Sequence, residues 1–555
     1  MSDDAATPAS FATHEVFNQP PPLVDYDLFT GDRALEEAVR REGAEWAAGD
    51  LAQFGRKLGS AEVIEWGFQA NRNPPVLQSF DRFGRRRDMV EFHPAWHSLM
   101  ALAVGEGIHS SPWSEPQAGA HVARAARAFM QVQIEAGVQC PITMTYGVVP
   151  ALRRQPDLAE EWLPRLFSRR YDPRFRPAAE KTGALMGMGM TEKQGGSDLR
   201  SNATRAEPVG AGGPGQAYRL VGHKWFFSAP MCDAFLVLAQ APKGLSCFFL
   251  PRWTPDGAVN AIRLQRLKDK LGNRANASSE VEFQGALAFL VGEEGRGIPN
   301  IIEMATYTRL DCTLGSAGVM RQAVAQAIHH ASHRTAFQRR LVDQPLMTNV
   351  LADIALESEA ATALAMRLAR AFDRQEDEAE TALRRLVTPA AKYWICKRGI
   401  ALTGEAMEVL GGSGYIEESL MPRLYREAPV NSIWEGSGNV MCLDVLRALQ
   451  RTPEAGDALR HELAPARGAD ARLDRFLARL DALLAGRPDE AQARRLAEML
   501  VLAVEASLLL RFAPPAVADA FCASRLGDAP GGAFGTLPPG VDLRGVVERA
   551  APAAR

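Results

Sequence analysis

The sequence is short of cysteine pairs, of net charge and of long apolar runs. Its seven cysteines are odd in number and include no Cys-x-x-Cys pair, which excludes a disulfide framework or a zinc ribbon and favours a reducing cytoplasm. A net charge of −3 excludes a chain that binds polyanions through bulk charge. The most apolar run, residues 499–510, is interrupted by Glu505 and is too short to cross a bilayer, and the acidic start MSDDAATPAS lacks the apolar core of a signal peptide. We therefore expect a cytoplasmic protein that contacts no membrane.

Two patterns that could hold a ligand lack the residues that would complete a site. His329 and His333 stand four residues apart on a predicted helix, but no nearby acid completes the metalloprotease pattern, so we expect no metal site. The loop VGAGGPGQ, residues 209–216, is rich in glycine, but neither a helix nor a distal acid follows it. We expect this loop to join two strands and to bind no cofactor.

Changes in periodicity divide the chain into four segments. Residues 1–183 begin with a Pro-rich arm, which we expect to pack on another element or another subunit, and continue with helical spacing of apolar residues. Residues 184–295 hold short apolar runs between Gly, Pro and Asn, which are typical of strands, and residues 296–450 predict a bundle of long helices. Residues 451–555 form a C-terminal helical extension whose last part, from residue 515, we expect to be loosely ordered. The predicted fold class is mainly α with a central β domain.

The stretch NSIWEGSGN, residues 431–439, places an acid between an aromatic residue and a glycine, just before a predicted helix. One interpretation is structural: Ser437 or Asn439 caps the helix, and Glu435 favours its positive end. The other is chemical, because a carboxylate beside an apolar wall gains basicity through desolvation. The stretch alone leaves both interpretations open.

Three motifs give this stretch a wider context. MGMGMTEKQGGSD spans residues 186–198, GHKWFFSAP spans residues 222–230, and EVLGGSGYIEE is followed by PRLYREAPVNSIWEGSGN within residues 408–439. In their residues and in their order along the chain, they resemble the motifs of the acyl-CoA dehydrogenase family of flavoproteins. The resemblance implies a helical domain, a β-barrel-like domain and a four-helix bundle, here followed by an extra C-terminal helical domain. The extra segment resembles the family's alkylation-response branch, which is associated with protection of DNA from alkylation damage.

The resemblance makes Glu435 the candidate catalytic base. In this family a carboxylate takes the α proton of an acyl thioester and the flavin N5 takes the β hydrogen as hydride, while hydrogen-bond donors polarise the carbonyl. Another branch of the family places its base before an arginine on the first bundle helix, where this chain has Thr308 and Arg309 and therefore no acid. Asp311 is a further acid on that helix, which faces the pocket or serves as an ordinary polar helix residue.

The same resemblance implies a site for FAD. Thr191 and Ser228 would contact the ring through their hydroxyls, and Ser197 would contact a phosphate. The ordinary alternatives are turn formation by Thr191 and Ser197 and strand packing by the two phenylalanines of the second motif. The remaining predicted cofactor-binding residues of these motifs are Met188, Met190, Gly196, Phe226, Phe227, Ile433, Trp434, Gly436, Ser437 and Asn439.

A second group of predicted FAD contacts crosses a subunit boundary. Arg334 and Phe337 match a family motif that reaches the FAD of a neighbouring subunit, and Gly411 and Gly412 would let backbone approach its phosphates. The resemblance therefore implies a homo-oligomer, either a dimer or the family's more usual tetramer. Three positions depart from the family pattern and weaken the detail of these contacts: Gln338 replaces a glycine, Gln344 lies one residue early, and Glu408 replaces a glutamine.

Two functions follow from the resemblance. The first is an FAD-binding protein of the adaptive response to alkylation, which binds double-stranded DNA and protects it or inactivates alkylating agents while it retains a dehydrogenase site. Phosphate contacts need clustered basic residues, and the candidates are Arg447, Arg451, Arg494 and Arg495. The extension from residue 445 carries fifteen arginines and fourteen acids, so its near-neutral charge does not by itself favour DNA. The second function is a metabolic dehydrogenase of a short or branched acyl-CoA.

Overall fold

The computed structural model describes residues 13–527 and 531–553. The first segment is a helical layer that carries one β hairpin. Its most buried element is α6, an Ala-rich helix in which every residue is buried, because small side chains let neighbouring helices approach closely. The elements are α1 (Arg33–Arg41), α2 (Ala48–Leu58), α3 (Ala61–Arg72), β1 (Val76–Phe80), β2 (Arg86–Glu91), α4 (Pro94–Gly105), α5 (Ser111–Ser114), α6 (Ala120–Ile134), α7 (Gln139–Leu152) and α8 (Pro156–Leu166).

The central segment is a seven-stranded sheet that closes on itself. Strand β7 pairs with both β9 and β6, so that β6, β4, β5, β9 and β7 form a ring, while β3 joins β6 and β8 joins β9. The glycine-rich loop at residues 209–216 joins the antiparallel strands β4 and β5. The strands are β3 (Met186–Gly189), β4 (Arg205–Pro208), β5 (Ala217–Ser228), β6 (Ala234–Ala241), β7 (Gly244–Pro251), β8 (Ile262–Leu267) and β9 (Ser278–Leu290).

Long helices then pack against α6 and α7 and continue into the extension. Helix α9 is 37 residues long and contacts α6, α7, α10 and α11, so it is the spine of the bundle. The elements are α9 (Gly297–His333), β10 (Thr335–Ala336), β11 (Arg339–Arg340), α10 (Pro345–Asp373), α11 (Glu378–Val409), α12 (Gly412–Tyr415), α13 (Met421–Asn431), α14 (Gly438–Arg451), α15 (Glu454–Leu463), α16 (Ala471–Ala485), α17 (Ala493–Phe512), α18 (Pro515–Arg525) and α19 (Leu543–Ala550). The predicted fold class, mainly α with a central β domain and extra C-terminal helices, is confirmed.

The expectation of loose order from residue 515 onward is wrong for the described part of that segment. Helices α18 and α19 dock on the bundle through buried ion pairs. Arg525 binds Asp353 at 2.5 Å and Glu357 at 2.9 Å, and Arg549 binds Glu37 at 2.6 Å and Glu359 at 2.9 Å. The Pro, Gly and Ala composition misled the prediction because these anchors pair with acids far away in the sequence.

The Pro-rich arm packs on its own chain. Arg334 donates a hydrogen bond to the Asn18 carbonyl at 2.7 Å, and the Asn18 side chain exchanges two hydrogen bonds with the backbone of Thr335, at 2.7 and 2.8 Å. Further along the arm, His329 contacts the carbonyl of Pro21 at 2.8 Å. The arm therefore fixes the start of the β10–β11 hairpin.

Three sequence expectations concern absences. All seven cysteines are free, and six of them are buried. Within residues 13–527 and 531–553, no cluster of three or more histidine, cysteine or acidic side chains could hold a metal ion. Over the same residues, no helix has the length and apolar content needed to cross a bilayer.

We expect Arg549→Met to loosen α19. The substitution leaves Glu359, whose side chain is 10% exposed, without its cation, and an unpaired buried charge costs about 3–5 kcal/mol. Hydrogen exchange of the amides in residues 543–550 measures this loss as faster local opening. Arg544→Met on the same helix is the matched control, because the Arg544 side chain is 72% exposed. Equal exchange in both variants would contradict an anchoring role for Arg549.

Candidate active site

Glu435 lies on a turn whose backbone has an uncommon conformation. Its φ is +59° and that of Gly436 is +105°, both in the left-handed region, which costs a non-glycine residue about 1–3 kcal/mol. Two cations hold the turn. Lys392 donates to the carbonyls of Trp434 at 2.6 Å and Gly436 at 2.5 Å, and Arg309 donates to the carbonyl of Glu435 at 3.1 Å. Three successive carbonyls are thus fixed from α9 and α11.

The Glu435 carboxylate faces α9. Thr308 donates a hydrogen bond to its Oε2 at 2.6 Å. Burial raises the pKa of Glu435 above its ordinary value, although the Thr308 hydrogen bond and the charges of Lys392 and Arg309 oppose the rise. The N–H of Glu435 donates to no acceptor in the part of the chain that the structure describes. A basic carboxylate and a free backbone donor therefore lie on one turn.

The capping interpretation of this stretch finds little support. Ser437 occupies the N-cap position of α14, but its side chain accepts no capping hydrogen bond. Asn439 lies inside the helix, where its side-chain oxygen accepts a hydrogen bond from Arg494 at 2.8 Å. The Trp434 ring nitrogen donates to Asn431 at 2.9 Å, which orients the indole.

Asp311 is not a second free base. Its carboxylate forms a bidentate ion pair with the fully buried Arg124, with one contact at 2.6 Å, and it accepts a hydrogen bond from Thr143 at 2.5 Å. The Arg124 guanidinium also stacks on the ring of Tyr146, 3.8 Å from its centroid. Asp311 is therefore a structural partner of Arg124.

The predicted cofactor residues offer hydroxyls that the described chain leaves without partners. Thr191, Ser197 and Ser437 make no side-chain hydrogen bond in that part of the molecule, and Ser228 is 3.3 Å from Ser278. A Cβ on Gly196 would lie 2.4 Å from the Thr191 hydroxyl, so this loop has room only for glycine there. Ile433 and Phe226 expose their side chains. Free hydroxyls beside exposed apolar surface fit the ring and phosphates of a flavin.

The two phenylalanines of strand β5 do not act alike. The Phe226 ring is exposed, whereas the Phe227 ring is buried and packs on Phe235 with 4.3 Å between centroids. Only Phe226 directs its ring away from the core, because successive side chains on a strand point to opposite faces, and the assignment of both residues to the cofactor site stays a prediction. Met188 lies on β3, and the carbonyl of Met190 accepts a hydrogen bond from Asn202.

The residues assigned to a neighbouring subunit's FAD form a separate group. Arg334 contacts the arm, Phe337 is 93% exposed at the tip of the β10–β11 hairpin, and Gly411 and Gly412 lie between α11 and α12. No hydrogen bond joins these four residues to residues 433–437 in the described chain. Gln338, which replaces the family's glycine, still has a left-handed φ of +64°. These contacts stay predictions.

The motifs do not reveal the residues that position the site. Lys392 and Arg309 hold the turn through its backbone carbonyls, and no motif records such contacts. Thr308 stands where another branch of the family has its catalytic acid, and here its hydroxyl donates a hydrogen bond to Glu435. Lys224, inside the second motif, forms a fully buried ion pair with Glu192 at 2.7 Å and so joins β5 to the Thr191 loop.

Comparisons with known proteins agree with this geometry. Residues 18–173 match the N-terminal domain of the adaptive response protein AidB, and residues 187–286 and 295–450 match the middle and C-terminal domains of acyl-CoA dehydrogenases. The chain is 53% identical to AidB of Escherichia coli (strain K12) over 92% of its own length and 94% of that protein. It is 33% identical to acyl-CoA dehydrogenase family member 11 of Caenorhabditis elegans, over 75% of this chain and 69% of that protein.

Solved structures extend the likeness to the fold. The structure of ACDH-11 from Caenorhabditis elegans in complex with C11-CoA has a TM-score of 0.84 at 28% identity and covers 95% of this chain and 96% of that one. The apo-form of Bd2924 has a TM-score of 0.82 at 30% identity and covers 90% of this chain and 100% of that one. Fold and matches define an FAD-dependent oxidoreductase of the acyl-CoA dehydrogenase type. The chain belongs to the acyl-CoA dehydrogenase family, in its AidB branch.

We expect Thr308→Val to move the acid limb of the pH–rate profile for flavin reduction to higher pH. The base must be deprotonated, so the rate falls as pH drops through the pKa of Glu435, and loss of the Thr308 hydrogen bond raises that pKa further. Stopped-flow reduction by an acyl-CoA across a pH series measures the limb. Thr308→Ser keeps the hydroxyl and should leave the limb in place. An unmoved limb in the valine variant would show that another group titrates.

Proposed function

We propose that this protein binds FAD and double-stranded DNA in the adaptive response to alkylation, where it protects DNA or inactivates alkylating agents. In this proposal it retains a dehydrogenase site in which Glu435 is the base. The observation that carries the site is the Glu435 turn, with a carboxylate of raised pKa next to an unused N–H. The observation that carries the DNA role is the 53% identity to AidB.

The residues around Glu435 supply most of what dehydrogenation needs. The carboxylate takes the α proton of the thioester, and the Glu435 N–H donates to the thioester carbonyl, which stabilises the negative charge that develops there. Bound FAD supplies the acceptor for the β hydrogen, which leaves as hydride, and the product is the enoyl thioester. Thr191, Ser197, Ser228 and Ser437 would hold the cofactor.

Acyl-CoA is the substrate class that the relatives support. ACDH-11 of Caenorhabditis elegans is described in complex with C11-CoA, and its fold covers nearly all of this chain. A metabolic dehydrogenase of a short or branched acyl-CoA is the alternative function, and the same Glu435 geometry favours it. The match of residues 18–173 to the AidB N-terminal domain favours the first function over this alternative.

The candidate DNA contacts lie on two neighbouring helices. Helices α14 and α17 pack side by side and carry four exposed arginines, Arg447, Arg451, Arg494 and Arg495. Within the described chain none of the four forms an ion pair with a carboxylate, although Arg494 donates to Asn439. The extension is nearly neutral as a whole, but these unneutralised guanidinium groups are concentrated where phosphates could reach them. We also propose a homotetramer in the cytoplasm, which the family resemblance and the free thiols support.

Glu435→Gln separates the two activities. We expect the variant to keep its FAD and its DNA affinity and to lose anaerobic flavin bleaching by acyl-CoA, because the amide cannot take a proton. Bleaching is followed by absorbance and DNA binding by mobility shift over a salt series. Loss of both activities would contradict separate sites, and bleaching at the native rate would exclude Glu435 as the base.

The four arginines are tested together. Replacing all four with alanine should weaken DNA binding and flatten its dependence on salt, because each lost phosphate contact reduces the slope of log affinity against log salt by about 0.9. Replacement of Arg82, Arg85 and Arg87, exposed arginines of the β1–β2 hairpin, is the control and should change neither quantity. A native salt slope in the fourfold variant would place the DNA surface elsewhere.

A further inference from the structure

Helix α7 brings polar side chains to the cleft in front of Glu435. Thr308 and Asp311 stand three residues apart on α9 and so face the same way. Thr308 binds the Glu435 carboxylate at 2.6 Å, and Asp311 accepts from Thr143 of α7 at 2.5 Å. Cys140, one turn before Thr143, shares its face of the helix, and both are only partly buried. This end of α7 therefore borders open space beside the base.

A second run of polar groups reaches the same place from the β domain. Ser228, a predicted ring contact, lies 3.3 Å from Ser278. Lys270 donates to the Ser278 hydroxyl at 2.9 Å and to the backbone carbonyl of Asn276 at 2.6 Å. These contacts run from the predicted flavin ring to the segment that precedes β9.

The two runs meet. A Cβ on Gly137, just before α7, would lie 2.9 Å from the backbone nitrogen of Asn276, so the two segments are in contact. Ser228 and Asn276 are both within hydrogen-bond reach of the Cys140 thiol, and Glu435 is near enough for its charge to affect it. Burial raises the pKa of Cys140 to about 12, so the thiol stays neutral. Polar groups thus line a continuous wall from the predicted ring site to α7.

Two amides in this wall lack partners. The side chain of Asn276 is buried, and apart from its approach to the Cys140 thiol neither its oxygen nor its nitrogen has a hydrogen-bond partner in the described chain. The side-chain oxygen of Gln139, next to Cys140, is buried and unpartnered as well. Buried amides without partners are rare in folded proteins, and a pocket for a plain hydrocarbon chain has no use for them. Their donors and acceptors are available to a ligand.

We propose that the acyl group of the thioester substrate carries a neutral hydrogen-bonding group, a hydroxyl or an amide, which Asn276 and Gln139 recognise. This inference rests on the proposed dehydrogenase chemistry at Glu435 and names its substrate class. The two recognising groups are uncharged amides, which match a hydroxyl or an amide on the ligand. The reaction is unchanged: the α proton goes to Glu435, the β hydride goes to FAD, and the polar group is retained in the enoyl thioester.

Isosteric pairs of thioesters test the inference on the FAD-loaded protein. We titrate 4-hydroxybutyryl-CoA against pentanoyl-CoA and 5-hydroxypentanoyl-CoA against hexanoyl-CoA, anaerobically, and record flavin spectral shifts and bleaching rates. In at least one pair the hydroxylated member should be preferred by about tenfold, the effect of one good buried hydrogen bond. Asn276→Leu should abolish or reverse that preference, and Gln139→Leu is an independent variant should the first fail to fold.

Each outcome decides a specific claim. Equal or better response to the alkyl member of both pairs overturns the polar-substrate inference and leaves the dehydrogenase proposal standing. An unchanged preference in both leucine variants also overturns the inference, because the amides would then not be the recognising groups. No response of the flavin to any of the four thioesters overturns the inference and the dehydrogenase proposal together.

Discussion

The clamp that Lys392 and Arg309 place on residues 434–436 is the constraint on which the site depends. A glutamate in the left-handed region is strained, and the surroundings must hold it there. Charge-assisted hydrogen bonds to three successive carbonyls supply that hold. Because the two cations come from α9 and α11, the orientation of Glu435 is set by the packing of the bundle and not by its own turn.

The clamp also connects the site to the surface proposed for DNA. Arg309 binds Asp444 of α14 at 2.9 Å, and Arg385 of α11 binds the same carboxylate at 2.7 Å. Helix α14 begins directly after the Glu435 turn and carries Arg447 further along. At about 1.5 Å per residue, Arg447 lies roughly 14 Å beyond the helix start. Helix α14 therefore joins the Glu435 turn to the surface proposed for DNA, with Arg494 bound to its first turn and Arg447 further along.

Whether a feature of the fold or the site could be predicted from the sequence depended on how far apart along the chain the contacting residues lie. Glu435, Thr191 and Ser437 could be proposed as site residues from the sequence because they lie in short motifs. Lys392 could not, because it lies 43 residues before Glu435 and contacts only backbone. The burial of the Phe227 ring could not be predicted either, because a motif does not say which face of a strand a ring occupies.

Sequence separation also decided which helices and strands could be predicted. The last described helices looked disordered by composition, yet Arg525 and Arg549 anchor them to acids on distant helices. The β1–β2 hairpin was missed because the arginines of its turn and second strand break the alternation that predicts strands. Local pattern therefore predicted the architecture of residues 184–450 well and the attachment of the chain ends poorly.

The distribution of positive charge explains why Glu435, and not Asp311, is suited to be a base. Both oxygens of Asp311 are already occupied, by the bidentate ion pair with Arg124 and by the Thr143 hydroxyl. Glu435 has two cations within reach of its turn, but both donate to backbone carbonyls, and within residues 13–527 and 531–553 its carboxylate accepts a hydrogen bond from the Thr308 hydroxyl alone. Burial then outweighs the remaining attraction and raises the pKa of Glu435. The two cations therefore fix the position of the Glu435 carboxylate without neutralising its negative charge. A carboxylate that must take a proton from a weak carbon acid needs this combination.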